Sequence, residues 1–372
     1  MLLLEGMAYS QPMTGRIGIV TGGGDCPGLN AVIRAVAKAA MRRGWEAAGI
    51  LGGYEGLLEP TQFRVLEYRD LAGLLQRGGT ILGTSNRGRF TAKVGHGEAQ
   101  RLPIEVLDGA KRGCATIGLS ALVAIGGDGS LTIAQQLYEH GIPIVAVPKT
   151  IDNDLAATVM TFGFDSAVAC ATEALDRLHT TAESHQRVMV LEVMGRYAGW
   201  IAIYAGLAGG ADVILIPEIP FRYESICRKI AEREQSGRHF TIVVVAEGAR
   251  AEGADFVTSG DQPADREARL GGIGSQVATE VQRRTGKEAR AMVLGHLQRG
   301  GGPTNFDRAL CTLFGVTAVE LAAAGEFGRM VTYTGSQIGS VPIADAVGQL
   351  RRVPLDGGFV RGARALGICL GD

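Results

Sequence analysis

Three segments, two of them glycine-bearing, hold the carboxylates best suited to chemistry. Thr21-Gly-Gly-Gly-Asp-Cys-Pro-Gly-Leu-Asn30 leaves an apolar run and enters a helical pattern. Its glycines, Gly22 to Gly24, let successive backbone N–H groups turn toward an anion, and the following helix N-terminus adds partial positive charge. The segment is neither a G-x-G-x-x-G fingerprint nor a Walker A loop, because the third spaced glycine and the Gly-Lys-Ser/Thr are missing. Gly126-Gly-Asp-Gly-Ser130 sets Asp128 between glycines. A carboxylate there can hold Mg2+ through waters beside nucleotide phosphates, or it can form an Asx-turn or cap a helix. Pro148-Lys-Thr-Ile-Asp-Asn-Asp154 offers a carboxylate pair beside a threonine and a lysine. Phosphoryl transfer to a hydroxyl needs one carboxylate to take the proton and another for the metal. Asp152 suits the first role and Asp154 the second; a capping cluster before the next helix is the alternative.

Cationic segments follow. Gly83-Thr-Ser-Asn-Arg-Gly-Arg89 carries Arg87 and Arg89, a bidentate phosphate clamp or a pair of solvated arginines. Ser184-His-Gln-Arg187, Met194-Gly-Arg196, Arg290 and Gly295-His-Leu-Gln-Arg-Gly-Gly301 supply donors for a phosphorylated substrate. Glu247, in Ala246-Glu-Gly248, can accept from sugar hydroxyls. His296 taken alone reads as a structural histidine. No Ser-His-Asp arrangement and no nucleophile elbow is present.

These segments need elements to position them. Buried-strand runs are predicted at Arg16–Thr21, Ala121–Ile125, 143–147, Val188–Val193, 212–216, 240–246 and 291–294. Helices are predicted at 30–43, 130–140, 166–183, Tyr223–Gln235, 274–284 and 306–324. Continuous apolar strands alternating with helices imply an α/β chain with mainly parallel sheets covered on both faces. In such sheets ligands bind beyond the strand C-termini, where Gly22–Gly24, Gly126, Gly127, Gly129 and Gly195 gather. Residues from Tyr333 onward are weakly patterned and have no assigned place.

Composition bounds the rest. Glycine makes up 55 of 372 residues, about twice the usual share. Lys+Arg total 37 against 38 Asp+Glu, a net charge of −1, which gives no footprint for nucleic acid or an acidic membrane. No run approaches the ~18 apolar residues of a membrane span. The six cysteines form no C-x-x-C pair and read as reduced cytoplasmic thiols.

Assembled in this order from about Arg16 to Arg308, the motifs resemble the 6-phosphofructokinase family, in its A-type branch and a mixed-substrate-like subgroup. The resemblance implies transfer of a phosphoryl group to the 1-hydroxyl of fructose 6-phosphate with Mg2+, and two Rossmann-like three-layer α/β/α domains with the active site in the cleft between them. The larger, donor-binding domain would comprise residues 1–164 plus about 298–347. The smaller, sugar-phosphate domain would comprise about 165–297, leaving a tail at 348–372. Asp152 would be the base, with Thr150, Arg196 and Gly24 around the transferring group and Asp128 and Asp154 at the metal. The donor would lie along Gly24, Arg87, Gly88, Gly127, Asp128, Gly129 and Ser130. The sugar phosphate would meet Thr150, Ile151, Asp152, Met194, Gly195, Arg196, Glu247, His296, Leu297, Gln298 and Arg299. Arg187 and Arg290 match residues that a neighbouring subunit contributes in bacterial members, which implies a homo-oligomer, tetramer or dimer, with shared active sites.

Two positions bear on the donor. An Asp at the place of Gly129 goes with pyrophosphate use in this family, because its carboxylate fills the nucleotide α-phosphate space; glycine leaves that space open and favours ATP as co-substrate. Lys149 stands where short bacterial ATP enzymes have glycine, and a lysine there suits pyrophosphate as well. Ile133 replaces a small residue near the adenine. ATP is the expected donor and pyrophosphate the alternative; a non-catalytic sugar-phosphate sensor is remote, since every carboxylate is present. Arg34 and Lys38 match basic effector-site positions, whereas His179 replaces an arginine, so an altered effector pocket is expected.

Overall fold

The computed structural model describes residues 15–85, 88–90, 101–258 and 270–372. Among the described residues twelve strands run β1 (Arg16–Thr21), β2 (Glu46–Ile50), β3 (Phe63–Leu66), β4 (Ala121–Gly126), β5 (Ile144–Thr150), β6 (Phe162–Gly163), β7 (Val188–Val193), β8 (Val213–Leu215), β9 (Thr241–Ala246), β10 (Ala289–Val293), β11 (Arg329–Tyr333) and β12 (Ile338–Pro342). The α-helices are α1 (Leu29–Arg42), α2 (Ile104–Ile117), α3 (Asp128–Glu139), α4 (Phe164–His185), α5 (Trp200–Ala208), α6 (Tyr223–Gln235), α7 (Ile273–Thr285), α8 (Asn305–Ala324), α9 (Ile343–Ala346) and α10 (Gly358–Ala365).

Two sheets result. The larger has the order β12-β11-β5-β4-β1-β2-β3, with β6 beside the end of β5. It is parallel from β11 to β2, and only the edge strands β12 and β3 run antiparallel. The smaller, β10-β7-β9-β8, is parallel throughout. β4, β7 and β9 are buried at every position, as strands covered on both faces must be. One apolar cluster continues from Ile19 and Val147 of the larger sheet through Phe164 and Leu175 of α4 to Leu191 and Val244 of the smaller. Gly315 lets α8 close on α1, since a Cβ there would lie 2.6 Å from the Ala35 Cβ.

Register fixes the functional edge. Thr21 lies opposite Ile125, and Gly126 opposite Pro148, so β1, β4 and β5 release their loops side by side. Val193 lies opposite Ala246, so β7 and β9 do the same in the smaller sheet. The unassigned C-terminal segment has a defined course. It forms β12 and α9, passes the 152–154 loop, forms α10, and adds Cys369 beside Val213 at the edge of β8. All six cysteines are free thiols. Among the described residues no helix is long and apolar enough to cross a membrane.

Candidate active site

The glycine loop after β1 is anchored at both ends. Gly22 N–H donates to Ile125 O at 2.9 Å, and Gly28, at φ 111°, opens α1. Thr84 Oγ1 donates to Gly23 O at 2.6 Å and Thr21 Oγ1 to Gly83 O at 2.7 Å, which holds the segment before Gly88 against this loop. Gly88 is described; Arg87 lies outside the described residues. Arg89 does not join a clamp: it pairs with Glu55 at 3.2 Å, and Glu55 also accepts from its backbone N–H.

Asp128 is the first residue of α3, and Gly127 takes the N-cap position. Its Oδ1 accepts from Gly348 N–H at 3.0 Å, while burial raises its pKa. Gly129 and Ser130 continue the first turn, and Tyr54 OH donates to Ser130 O at 2.9 Å from below. Ile133 is buried in the same apolar cluster as Tyr54. Lys149 is 5 % exposed, and its Nζ donates to Gly24 O, tying the end of β5 to the glycine loop. Burial lowers the lysine's pKa.

The 150–154 turn is built around Asn153. This fully buried residue takes φ 50°, a left-handed conformation that asparagine tolerates better than most residues. Its Oδ1 accepts from Thr161 N–H at 2.9 Å, and its Nδ2 donates to Val159 O at 3.3 Å. Asp152 N–H donates to Thr150 Oγ1 at 3.1 Å. Asp152 Oδ1 is buried with no hydrogen-bond partner. Burial raises the Asp152 pKa, Glu247 pushes it further, and Arg299, Arg196 and Lys149 pull it back. Burial, then Asp152, raises Asp154, with Asp128 adding to the repulsion.

The smaller sheet faces these groups with Met194, Gly195, Arg196 and Glu247. Glu247 N–H donates to Val193 O at 2.8 Å and Gly248 N–H to Gly195 O at 3.1 Å, locking the two loops together. Gly195 takes φ 136°. Burial raises the Glu247 pKa, opposed chiefly by Arg196. The turn Gly295–Arg299 is held by Gln298, whose Oε1 accepts from Met194 N–H at 3.4 Å and whose Nε2 donates to Gly295 O at 3.2 Å. Arg299 reaches back across the cleft, so that a Cβ on Gly24 would strike its Nη1. Its Nε is buried without a partner. His296 and Leu297 are exposed, and Ile151 is buried.

Arg187 and Arg290 are not brought to this cluster. Arg187 precedes β7 and bonds Glu288 Oε2 at 2.6 Å; Arg290 pairs with the same Glu288 at the start of β10. Arg187 lies six residues before Val193, about 20 Å of strand from the site edge, and Arg290 three residues before Val293, about 10 Å from it. His179 is tied to Gly209 O at 2.7 Å, and Lys38 stands 6.0 Å from the Tyr68 ring centroid. Two structural contributors carried no chemical signal in the sequence. Asn153 is one. Asn30 is the other, fully buried and gripping the 77–81 loop through Arg77 O, Gly78 O and Ile81 N–H. The only hint was an asparagine, a poor helix former, inside an apolar helix start.

A closed metal cage is not present: among the described residues no three His, Cys, Asp or Glu side chains cluster as ligands. Asp128 and Asp154 repel each other across the donor edge, an arrangement suited to a hydrated Mg2+ that takes further oxygens from phosphate.

Residues 16–322 match the family model described as Phosphofructokinase. An ATP-dependent 6-phosphofructokinase of Chloroflexus aurantiacus is 53 % identical over 357 residues, covering 96 % of this chain and 98 % of that protein. A pyrophosphate–fructose 6-phosphate 1-phosphotransferase of Amycolatopsis methanolica is 50 % identical, covering 91 % and 96 %. Among solved structures, phosphofructokinase from Pichia pastoris in the T-state superposes with a TM-score of 0.77 at 32 % identity, over 90 % of this chain and 35 % of that one.

Proposed function

The chain belongs to the phosphofructokinase family, and from that premise we infer that it transfers the terminal phosphoryl group of ATP to the 1-hydroxyl of fructose 6-phosphate, giving fructose 1,6-bisphosphate and ADP. The observation that carries this reading is the Asp152 carboxylate. The residue is half-buried, its Oδ1 is buried without a partner, and the charges of Arg299, Arg196 and Lys149 act on it at the meeting of the two sheets. Its raised pKa makes it a better proton acceptor near neutrality than an ordinary aspartate.

In the reaction, Asp152 Oδ1 takes the proton of the 1-hydroxyl as that oxygen bonds to phosphorus and the bond to ADP breaks. Thr150 and the Gly24 N–H hold the transferring group, and Arg196 offsets its charge. Asp128 and Asp154 would hold Mg2+, which supplies charge neutralisation on the donor phosphates when bound. Gly127, Gly129, Ser130 and Gly88 line the donor, and the family resemblance assigns Arg87 to the same site. Glu247 accepts from sugar hydroxyls, and Met194, Gly195, Ile151, Gln298 and Arg299 shape the sugar pocket, with His296 and Leu297 at its rim. The 6-phosphate also requires Arg187 and Arg290. Their place at the far end of the smaller sheet supports donation to the site of a second copy. Met292 and Val293, exposed at 47 % and 55 % on the edge strand β10, suit an interface with such a copy. The two sheets support a division into a donor domain, 1–164 plus about 298–347, and a sugar domain, about 165–297. Free thiols and freely diffusing phosphorylated substrates fit a cytoplasmic setting.

Gly129 supports ATP over pyrophosphate. Lys149 does not oppose it, because its ammonium is bonded to Gly24 O within the loop. A coupled assay at equal ATP and pyrophosphate decides the donor: faster turnover with pyrophosphate would overturn the ATP reading. An Asp152→Asn variant that kept near-parent turnover would remove the assigned base.

A further inference from the structure

The C-terminal segment crosses the site within six residues. Gly348 N–H donates to Asp128 Oδ1 at 3.0 Å. Leu350 pairs with Leu155 in an isolated antiparallel bridge. Arg351 N–H donates to Asp154 O at 2.8 Å, and its guanidinium donates to Asn153 O at 3.2 Å. The same guanidinium lies over the Trp200 ring, 4.2 Å from the centroid, and Trp200 Nε1 donates back to Arg351 O at 2.9 Å. Two residues on, Val353 N–H reaches Glu218, which also accepts from Gly199 N–H at the start of α5. One stretch of chain therefore grips the 152–154 turn from the larger sheet and α5 from the smaller.

We propose that Arg351 is a positioning residue for phosphoryl transfer: it fixes the carbonyls of Asn153 and Asp154, and so the direction of the Asp152 carboxylate, relative to Trp200 and the sugar-binding loops. The turn has need of such a hold. Asn153 sits in a left-handed conformation, and Asp152 and Asp154 repel each other in a buried space. Both carbonyls accept from Arg351, one from its side chain and one from its backbone. The cation over Trp200 binds the hold to an element of the opposite sheet, and such a contact strengthens as water is excluded. Arg351 touches no reacting atom, so it acts through Asp152 and leaves ground-state sugar binding largely unchanged.

This rests on the kinase reading, and the test separates the two. The full chain is compared with Arg351→Ala and Arg351→Lys by steady-state kinetics and by amide hydrogen exchange without substrates. Arg351→Ala should lower kcat about tenfold or more, with KM for fructose 6-phosphate within about twofold, because displacement of the base by a fraction of an ångström penalises the transition state first. Arg351→Lys keeps the cation over Trp200 and a donor near Asn153 O, so it should recover most of that loss. The amide of position 351, which donates to Asp154 O, should exchange faster in Arg351→Ala, while those of β7 and β9 stay protected. An unchanged kcat, or a loss of kcat accompanied by a comparable rise in KM or by lost protection across the whole chain, overturns the proposal. A parent without ATP-dependent turnover overturns the kinase reading alone, since the exchange comparison still judges the strap.

Discussion

Gly248 offers a test of how tightly the cleft must be held. It follows Glu247 at the end of β9, and its N–H bonds Gly195 O. A Cβ at this position would lie 2.7 Å from the Arg196 carbonyl carbon and nearer still to the oxygen, inside the 3.0 Å that real Cβ contacts essentially never breach. The obstacle is backbone and cannot rotate away. Gly248→Ala must therefore push the 194–196 turn aside by about 1 Å, moving Arg196 relative to Asp152; shifts of that size cost about a hundredfold in turnover. The accompanying overpacking costs about 1–3 kcal/mol, too little to unfold the chain. Steady-state kinetics with a thermal melt on the same sample separates the two effects. Gly362→Ala, whose Cβ would meet nothing within 4 Å, serves as the control and should match the parent. Turnover of Gly248→Ala within about threefold of the parent, with the melt shifted as expected, would refute the claim that the Arg196 turn is held to sub-ångström tolerance.

Three further outcomes follow from the same geometry. Asp152→Asn should lower kcat by about 10²–10⁴-fold with fructose 6-phosphate binding retained in a titration. Gly129→Asp should abolish ATP turnover while leaving the fold intact by circular dichroism; retained ATP use sinks the steric account of donor choice. Asp307 is fully buried with Oδ1 unpartnered, and burial raises its pKa from 3.8 to about 6. A raised folded-state value means its contribution is complete below the unfolded pKa and is lost as pH rises through the folded one. The urea midpoint should thus fall between about pH 4 and pH 6 more steeply in the parent than in Asp307→Asn.

Much of the fold was legible locally. β1, β7 and α6 coincide with their sequence-based bounds, because each is a mainly apolar run rich in Ile and Val or a clean amphipathic period. The pattern passed over β2, whose Glu-Ala-Ala-Gly-Ile has little β-propensity and is a strand because β1 and β3 flank it. It passed over α5 as well, apolar nearly all round and so without a period. The segment after Tyr333 failed for a related reason: its order comes from partners far away in the chain, such as Asp128, Asp154 and Trp200.

The sequence by itself determined the chemistry. The glycine loop, the three aspartates and the Gly129 position are legible as residue types and spacings, and the proposed phosphate cradling and proton transfer are read from them. Only the tertiary structure decided which of these groups meet. It paired Arg89 with Glu55, bonded Lys149 to Gly24, and sent Arg187 and Arg290 to the far end of their strands. It also laid the C-terminal strap across the cleft. Those outcomes depend on strand order and register, which join residues hundreds of positions apart and leave no local trace in spacing.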